Sequence, residues 1–323
     1  MIRSYIREAG RLRPVEGAPD PLASVVWIDL ISPSAEEESQ FEARLGIDIP
    51  TKEDMEEIEI SSRLYQDNGA VFMTVILPAH ADGDDPQIAP VTFVLAGDRL
   101  ITVRYHEPRA FQTFATRAEK SATGWDTGEG LLLALLEAIV DRLADILERA
   151  GLDIDRISRG VFKHGAAKST KSLDFQKVLE ELGRVGDQTS NIRDSLVTFE
   201  RMVGYLAQAM IQRTGRKNIR EHIKTLSGDI RSLSDHSGFL SQKVTFLLDA
   251  TLGMINIEQN ATIKIFSVAA VVFLPPTLIA SIYGMNFRYM PELEWTFGYP
   301  FAIGMMVASA ILPYLFFKRR GWL

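Results

Sequence analysis

The stretch that decides the fold is Ile265–Asn286, which reads IFSVAAVVFLPPTLIASIYGMN. Its first 19 residues, Ile265–Tyr283, carry no charge, and a second uncharged stretch of 22 residues follows at Thr296–Phe317. As helices, both are long enough to cross about 30 Å of hydrocarbon. The alternative is a pair of buried core helices, but apolar stretches in such helices are usually shorter. We therefore expect a chain that crosses a membrane twice near its C-terminal end.

Basic residues lie at the outer ends of these two stretches. Lys264 precedes the first, Lys318–Arg320 follow the second, and the connecting segment contains one basic residue, Arg288. Since basic residues favour the cytoplasmic side, both termini are expected in the cytoplasm of a multi-pass protein of the cell inner (plasma) membrane. The first residues also lack the continuous apolar core of a secretory signal.

Composition excludes several classes of function. Residues 1–263 carry a net charge of −10 and the remainder +3, and an acidic body argues against nucleic acid as a partner and is compatible with cations. The chain has no cysteine, so disulfides and thiolate metal sites are excluded. Its five histidines show no metal-ligand spacing, and no arrangement of nucleophile and base predicts an enzyme.

Proline placement divides the part before the membrane stretches. Nine of the fourteen prolines fall in the first 108 residues among short apolar runs, and Gly97–Leu100 predicts a hairpin, so this part is expected to be a mixed α/β domain with helices at Ser34–Leu45 and Lys52–Leu64. From Arg109 to Leu274 there is no proline, which favours long helices. We expect one helix at 129–151, one or two at 172–214, and one continuous helix from 218 into the membrane.

The resulting organisation has seven parts. They are a cytoplasmic α/β domain at 1–128, cytoplasmic antiparallel helices at 129–217, a stalk helix at 218–264, a first transmembrane helix at 265–283, an outer loop at 284–295, a second transmembrane helix at 296–317 and a basic cytoplasmic tail at 318–323.

The first transmembrane helix has one mixed polar and small face. Two series spaced seven apart fall on it: Asn260, Ser267, Leu274 and Ser281, and Ile263, Ala270 and Thr277. Such a face fits either a pore wall formed with other copies of the chain or close helix packing through small residues. Periodicity leaves both open.

The outer end of this helix carries a family motif. Gly284, Met285 and Asn286 follow the aromatic Tyr283 between the two apolar stretches, and Met290–Leu293 come soon after. This arrangement resembles the CorA family of magnesium and cobalt transporters, in the bacterial branch that also has the Pro275 and Pro276 pair. The likeness extends through the whole chain.

The resemblance implies a fold and an assembly. The fold is α+β, with an N-terminal αβα cytoplasmic domain, a long α-helical stalk and two C-terminal transmembrane helices, assembled as a funnel-shaped homopentamer in the lipid bilayer. It also implies a magnesium channel for passive, membrane-potential-driven influx of Mg²⁺, with passage of Co²⁺ and Ni²⁺, that intracellular Mg²⁺ closes. Mg²⁺ is then both transported and regulatory, and no organic cofactor is expected.

Two alternatives remain. One is a zinc or other divalent-cation transporter of the same superfamily; the zinc branch typically carries Val where this chain has Met285. The other is a membrane-anchored cation sensor that does not conduct.

The resemblance also assigns site residues. Asn286 amides, with Gly284 and Met285, would form a selectivity filter that recognises hydrated Mg²⁺, since Mg²⁺ gives up its water reluctantly. Gly284 is expected to let the backbone leave the helix. The pore would be lined by Asn260, Ile263, Phe266, Ser267, Ala270, Leu274, Thr277 and Ser281. Glu292 and Glu294 would attract cations at the outer loop, and Asp54 or Glu57 would face Asp229, Asp235 or Asp249 of a neighbouring stalk around regulatory Mg²⁺.

Overall fold

The computed structural model describes residues 1–16, 24–81, 83, 86–121, 127–166, 174–213, 217–286, 288, 290–291 and 294–321. Among them, Met1–Leu248 and Asp249–Leu323 form two compact units. The strands are β1 (Ile2–Glu8), β2 (Arg11–Glu16), β3 (Val25–Ile31), β4 (Leu64–Asp67), β5 (Ala70–Ala79), β6 (Gln87–Ala96) and β7 (Arg99–Arg104). The helices are α1 (Ala35–Leu45), α2 (Lys52–Glu56), α3 (Ile60–Arg63), α4 (Arg109–Lys120), α5 (Gly128–Ala166), α6 (Phe175–Arg213), α7 (Lys217–Tyr283) and α8 (Gly298–Arg319).

The strands form one mixed sheet in the order β2-β1-β3-β7-β6-β5-β4. Its neighbouring strands are antiparallel except for β3 and β7, which lie side by side and parallel. Both of these central strands are almost wholly buried, and that explains why they read as continuous apolar runs rather than alternating ones.

Turn residues fix the register of the hairpins. Ala96 pairs with Arg99, so the predicted hairpin at Gly97 is confirmed, and Gly97 has a φ of 59° that an L side chain rarely adopts. Asp67 pairs with Ala70 around Asn68 and Gly69, both with positive φ, which is the preferred two-residue hairpin.

Of the two helices predicted in the α/β domain, the structure confirms one and contradicts the other. The helix predicted at Ser34–Leu45 is confirmed, with Ser34 as the N-cap in a capping box with Glu37. The prediction of one helix at Lys52–Leu64 is wrong, because that segment contains α2, α3 and the start of β4. The side chain of Arg63 donates to the Glu57 carbonyl at 2.5 Å, across the break between α2 and α3.

Helix α5 continues well past the predicted end at residue 151 and reaches Ala166. Buried Ala150, Ile154, Ile157 and Val161 explain why, since their spacing keeps one apolar face of the helix against its neighbours. Gly151 therefore lies within the helix and not at its end. It faces α7, since a Cβ added at Gly151 would lie 3.7 Å from the Leu240 side chain, an ordinary contact distance.

The first part of α7 packs on α5 and α6 through a seven-residue repeat. Of the nine residues in this repeat, Leu233 is half-buried and the other eight are buried. The Ser237 hydroxyl donates to the Thr189 carbonyl of α6 at 3.2 Å, and Lys243 pairs with Asp155 of α5. Alternating steps of four and three are the pattern of coiled-coil packing. The series is Ile219, Ile223, Leu226, Ile230, Leu233, Ser237, Leu240, Val244 and Leu247.

The described part of the second unit contains the rest of α7 and all of α8. Each contributes a stretch that is long and apolar enough to cross a membrane, and only 6% of the most apolar window of each is buried within the chain. Apart from one face of α7 with hydroxyl and small side chains, these helices are apolar around their circumference, unlike the amphipathic α5 and α6. Such surfaces are typical of segments that lie in lipid or against other copies.

Candidate functional site

Helix α7 ends where the Gly-Met-Asn motif begins. The Gly284 amide donates to the Ala280 carbonyl at 2.9 Å, and the Met285 amide donates to the Ile282 carbonyl at 3.3 Å, so the last turn tightens before the chain leaves the helix. The Asn286 side chain that follows is exposed. Its amide is therefore free to meet solvent at the end of the helix.

A side chain at position 284 would make a close approach to the preceding turn. Gly284 is not among the described glycines with positive φ, so a left-handed backbone is not the reason. A Cβ added there would lie 3.1 Å from the Ala280 carbonyl oxygen, closer than most real Cβ contacts. The expectation that Gly284 lets the backbone leave the helix stays a prediction, and the geometry adds that a side chain there would crowd the Ala280 carbonyl.

All eight residues assigned to the pore lining lie on α7 and are exposed in the single chain. The apolar ones are strongly so, with Ile263 at 59%, Phe266 at 71% and Leu274 at 64% of their full surface. Nothing in the described part of the chain covers this face. The exposed residues are Asn260, Ile263, Phe266, Ser267, Ala270, Leu274, Thr277 and Ser281.

The shielded residues of the same segment lie on the other side of the helix. At 3.6 residues per turn, the mean direction of the shielded set is roughly 170° from that of the two seven-residue series predicted for the pore face. Val268 is the most shielded, at 4% exposure. The set between 261 and 283 is Val268, Ala269, Val272, Pro275, Pro276, Ile279 and Tyr283.

Helix α8 has a matching shielded stripe at helical spacing. It includes Ala302, which is 6% exposed, with Met305, Ser309 and Pro313 partly covered. Since α8 is the other described helix of this unit, we infer that the two stripes face each other. Packing within one chain then leaves the polar and small face of α7 unpartnered.

Two prolines alter the hydrogen bonding in this part of α7. Pro275 and Pro276 lack amide hydrogens, so the Val271 and Val272 carbonyls lose their usual partners one turn later. The Thr277 hydroxyl lies 2.8 Å from the Leu274 carbonyl and 3.1 Å from the Phe273 carbonyl, to which it can donate. Because its hydrogen is directed to the backbone, the hydroxyl oxygen keeps lone pairs that can accept a hydrogen bond.

The outer loop is described only in part. Glu292 lies outside the described residues, whereas Glu294 is described and exposed. The Trp295 ring lies 5.7 Å from that of Phe301 and 6.4 Å from that of Phe297. An aromatic cluster at the start of α8 is typical of the boundary between lipid and water.

The residues predicted to bind regulatory Mg²⁺ are not gathered within one chain. No group of three or more His, Cys, Asp or Glu residues could hold a metal ion in the part of the chain that the structure describes. Asp54 has a structural role, since its carboxylate accepts from the Thr51 amide at 2.9 Å and closes the capping box of α2. The others, Glu57, Asp229, Asp235 and Asp249, are exposed.

An acidic cluster in the first unit includes Asp229, one of the residues predicted to bind regulatory Mg²⁺. Partial burial raises the pKa of Asp141 on α5, and Glu137, Asp145 and Asp229 raise it further while Arg117 opposes them. The sequence prediction named only Asp229. The spacing of Glu137, Asp141 and Asp145 by four is the signal that these three carboxylates share one helix face.

Comparisons with known proteins match nearly the whole chain to one family. The model of the family described as CorA-like Mg²⁺ transporter protein matches residues 23–319. The chain is 37% identical to the magnesium transport protein CorA of Haemophilus ducreyi over 325 residues, and 36% identical to that of Escherichia coli K12 over 324, with full coverage of both chains in each case. The complete structure of the CorA magnesium transporter from Methanocaldococcus jannaschii superposes with a TM-score of 0.72 at 20% identity, covering 100% of this chain and 99% of that one, which confirms the predicted fold.

Proposed function

The chain belongs to the CorA-like family of Mg²⁺ transporter proteins, and we propose that it forms a homopentameric channel for passive Mg²⁺ influx across the inner membrane. The pore is lined by α7, with α8 outside it and both termini in the cytoplasm. The observation that carries this proposal is the division of α7 into a side shielded within the chain and an opposite, unpartnered side bearing Ser267, Thr277 and Ser281.

Lipid is a poor partner for the unpartnered side. Hydroxyl groups gain nothing from hydrocarbon, whereas against symmetry mates they can line a water-filled path. Close packing through small residues, the alternative left open by the sequence, would bring the Leu274 and Phe266 side chains into the same interface. With 64% and 71% of their surfaces exposed, they suit apolar constrictions that gate by dewetting, together with Ile263.

The filter is a ring of Asn286 amides held at the helix exit. Mg²⁺ keeps its octahedral water shell unless the site replaces it fully, so neutral carbonyl oxygens that accept from that water bind the ion without trapping it. Gly284 and Met285 place Asn286 directly after the last turn of α7. Glu294, with Glu292, adds negative charge that concentrates cations nearby.

No energy source beyond the membrane potential is needed. A divalent cation gains about 4.6 kcal/mol on moving through 100 mV, twice the 2.3 kcal/mol of a single charge. We therefore propose inward flow without an enzymatic step and without an organic cofactor. Co²⁺ and Ni²⁺, which carry the same charge and are also hydrated, are proposed to pass as well.

Intracellular Mg²⁺ is proposed to close the channel through carboxylates of the cytoplasmic part. Asp229 already lies close enough to other carboxylates to raise the pKa of Asp141, so like charges meet along this side of α7. Mg²⁺ bound between copies, with Asp54, Glu57, Asp235 or Asp249 as further ligands, would offset that repulsion. Its loss would let the copies separate and the constriction hydrate.

Uptake of Mg²⁺ into liposomes by the purified full chain tests the filter. Asn286→Ala should abolish most uptake, while Asn218→Ala, an exposed Asn at the start of α7, should leave it unchanged. Equal uptake by the parent and Asn286→Ala would remove Asn286 from the mechanism. Uptake of Zn²⁺ in preference to Mg²⁺ would favour the zinc alternative, and Mg²⁺ binding without flux would favour the sensor.

Cysteine labelling tests the pore face, because the chain has no cysteine of its own. In Ser267→Cys and Ser281→Cys, a water-soluble thiol reagent should block uptake. In Val268→Cys, on the shielded side, the same reagent should have no effect. Block at Val268 without block at the two serine positions would place the path on the wrong side of α7.

A further inference from the structure

One buried histidine in the first unit lies outside the proposed ion path. His106 follows β7, is 7% exposed, and its Nε2 lies 2.9 Å from the Leu77 carbonyl oxygen of β5. Strands β5 and β7 are not neighbours in the sheet, because β6 lies between them. The hydrogen bond from His106 therefore ties together the ends of two strands that the ladder of the sheet does not join.

This hydrogen bond decides which ring nitrogen carries the proton. A carbonyl oxygen only accepts, so Nε2 is the donor and a neutral His106 has a bare Nδ1. Nδ1 is buried and has no hydrogen-bond partner in the part of the chain that the structure describes. A second proton would have to enter at Nδ1, where those residues offer it no acceptor.

The charges that act on this ring are positive. Burial lowers the pKa of His106, the hydrogen bond to Leu77 opposes that shift, and the charges of Arg104 and His80 lower the pKa further. No carboxylate of the described residues is among these influences. The Asp29 carboxylate is taken up by Arg104, whose guanidinium also donates to the His106 carbonyl at 2.9 Å. A charged His106 would thus be a buried cation beside other cations.

Two further cations flank the same strand end. Arg109 of α4 and Arg142 of α5 line a cleft together with His80. Guanidinium groups only donate, so neither could receive a hydrogen bond from a protonated Nδ1. A buried charge without a partner is costly, so water is the better environment for the imidazolium.

The strand end that His106 holds also joins the sheet to α6. The Ile76 amide donates to the Thr198 hydroxyl at 3.1 Å, and the Gln188 side chain donates to the Ala81 carbonyl at 3.0 Å. Leu77 lies between these two contacts in the chain. The residue after Gln188 accepts a hydrogen bond from α7. Release of this strand end would therefore loosen the sheet from α6 next to a contact between α6 and α7.

We propose that His106 is an acid-sensitive latch, which holds the end of β5 to the segment between β7 and α4 at neutral pH and releases it when Nδ1 takes up a proton from water. In the released form the imidazolium is hydrated, and the contacts of Ile76 and Ala81 with α6 are weakened. The latch does not depend on whether the chain conducts Mg²⁺.

The direction of the pH response follows from the lowered pKa of His106. The latched form takes up the second proton less readily than the released form, whose histidine has the ordinary pKa of 6.5. The latch is therefore fully stable above that value and loses stability as pH falls below it. Roughly one pH unit below 6.5, the ratio of released to latched form should be about tenfold higher than at neutral pH.

Hydrogen–deuterium exchange of the detergent-solubilised full chain, compared at about pH 7.5 and about pH 5.5 and corrected for the chemical effect of pH on exchange, tests the latch. In the parent, corrected exchange at the end of β5 and in residues 105–110 should rise roughly tenfold at the lower pH, and exchange around Gln188 should rise with it. His106→Gln should abolish the response, because its neutral amide can still donate to the Leu77 carbonyl. His236→Gln, at an exposed position of α7, is the matched control and should respond as the parent does.

Unchanged corrected exchange in the parent overturns the proposal, and so does a response of equal size in His106→Gln. A rise at the end of β5 without one around Gln188 overturns the part that concerns α6. If His106→Gln does not fold, His80→Gln decides, since it leaves the latch in place. A retained response in His80→Gln supports His106 as the titrating group, whereas a lost response assigns the titration to His80 and overturns the proposal.

Discussion

Removing the carboxylate of Asp29 should destabilise the first unit more than any single surface change. Asp29 on β3 accepts from Arg104 on β7 through two hydrogen bonds of 2.8 and 3.0 Å, and their side chains are 2% and 1% exposed. The Thr102 hydroxyl donates to the same carboxylate at 2.8 Å and accepts from the Trp27 indole at 3.0 Å. The network ties the parallel pair at the centre of the sheet.

The size of the effect follows from what is left behind. Asp29→Ala leaves the Arg104 guanidinium buried without its partner, and breaking a buried pair in this way costs about 3–5 kcal/mol. For a folded unit of about 150–250 residues, each kcal/mol lowers the midpoint of thermal unfolding by roughly 2–4 °C, so a fall of about 6–20 °C is expected. Replacing both residues by apolar ones should cost less, because no charge remains buried.

Thermal unfolding of the purified full chain provides the measurement. The set is the parent, Asp29→Ala, Arg104→Met, the double variant and Asp48→Ala as an exposed control. Asp48→Ala should unfold within about 1–2 °C of the parent, as surface changes usually cost under 0.5 kcal/mol. If the double variant loses the sum of the two single losses, the side chains are not coupled and the explanation of this network is wrong.

Three further changes test the remaining conclusions. Gly284→Ala should lower Mg²⁺ uptake several-fold, because the added methyl group moves the filter a few tenths of an ångström and strains the native state by about 1 kcal/mol. Gly304→Ala should leave uptake unchanged, because an added Cβ there meets nothing within 4 Å. Equal uptake by Gly284→Ala and the parent would exclude the close-approach explanation. Leu274→Asn should raise uptake into Mg²⁺-loaded liposomes about tenfold, because lowering the free energy of hydrating the constriction by ~1.4 kcal/mol is enough for that change. Unchanged uptake would remove Leu274 from the gate. Folding raises the pKa of Asp141, so its negative charge lowers the stability of the folded state at pH values above its unfolded pKa of 3.8. Asp141→Asn should therefore unfold at a higher temperature than the parent at pH 7, and the difference between the two unfolding temperatures should shrink as pH falls towards 4. A difference that does not depend on pH would contradict that cause.

Much of the fold follows from local sequence signals. Uncharged length predicted the two apolar helices, and Gly97 predicted its hairpin because few other residues adopt a positive φ. The segment from Lys52 to Leu64 was predicted less well. Its polar composition suits a helix, but the Thr51 capping box starts only a short α2, and the pairing of Leu64 with Met73 draws the chain into the sheet. Non-local strand pairing overrides helix propensity there.

The candidate site was predictable in part for a physical reason. Positions seven apart on α7 can be read from the sequence alone, and so can the motif at Gly284–Asn286. The approach of Asp229 to Asp141 could not be read in this way, because the two residues lie on different helices, α7 and α5, and only helix packing brings their charges together. The close approach at Gly284 was also missed, since it depends on the position of one carbonyl oxygen.

One register of α7 recurs in its first part and in its apolar segment. The buried series from Ile219 to Leu247 reappears at the shielded residues Val268, Val272, Pro275 and Ile279, after an interval in which Glu258, Ala261 and Ile265 of the same register are exposed. Val268 is three heptads after Leu247, so the same positions that pack on the chain's own helices recur in the apolar segment. The remaining sides of this helix are not covered by the described part of the chain. In the channel proposed above they would line the path, with polar or small residues where water runs and apolar residues such as Leu274 where it is stopped.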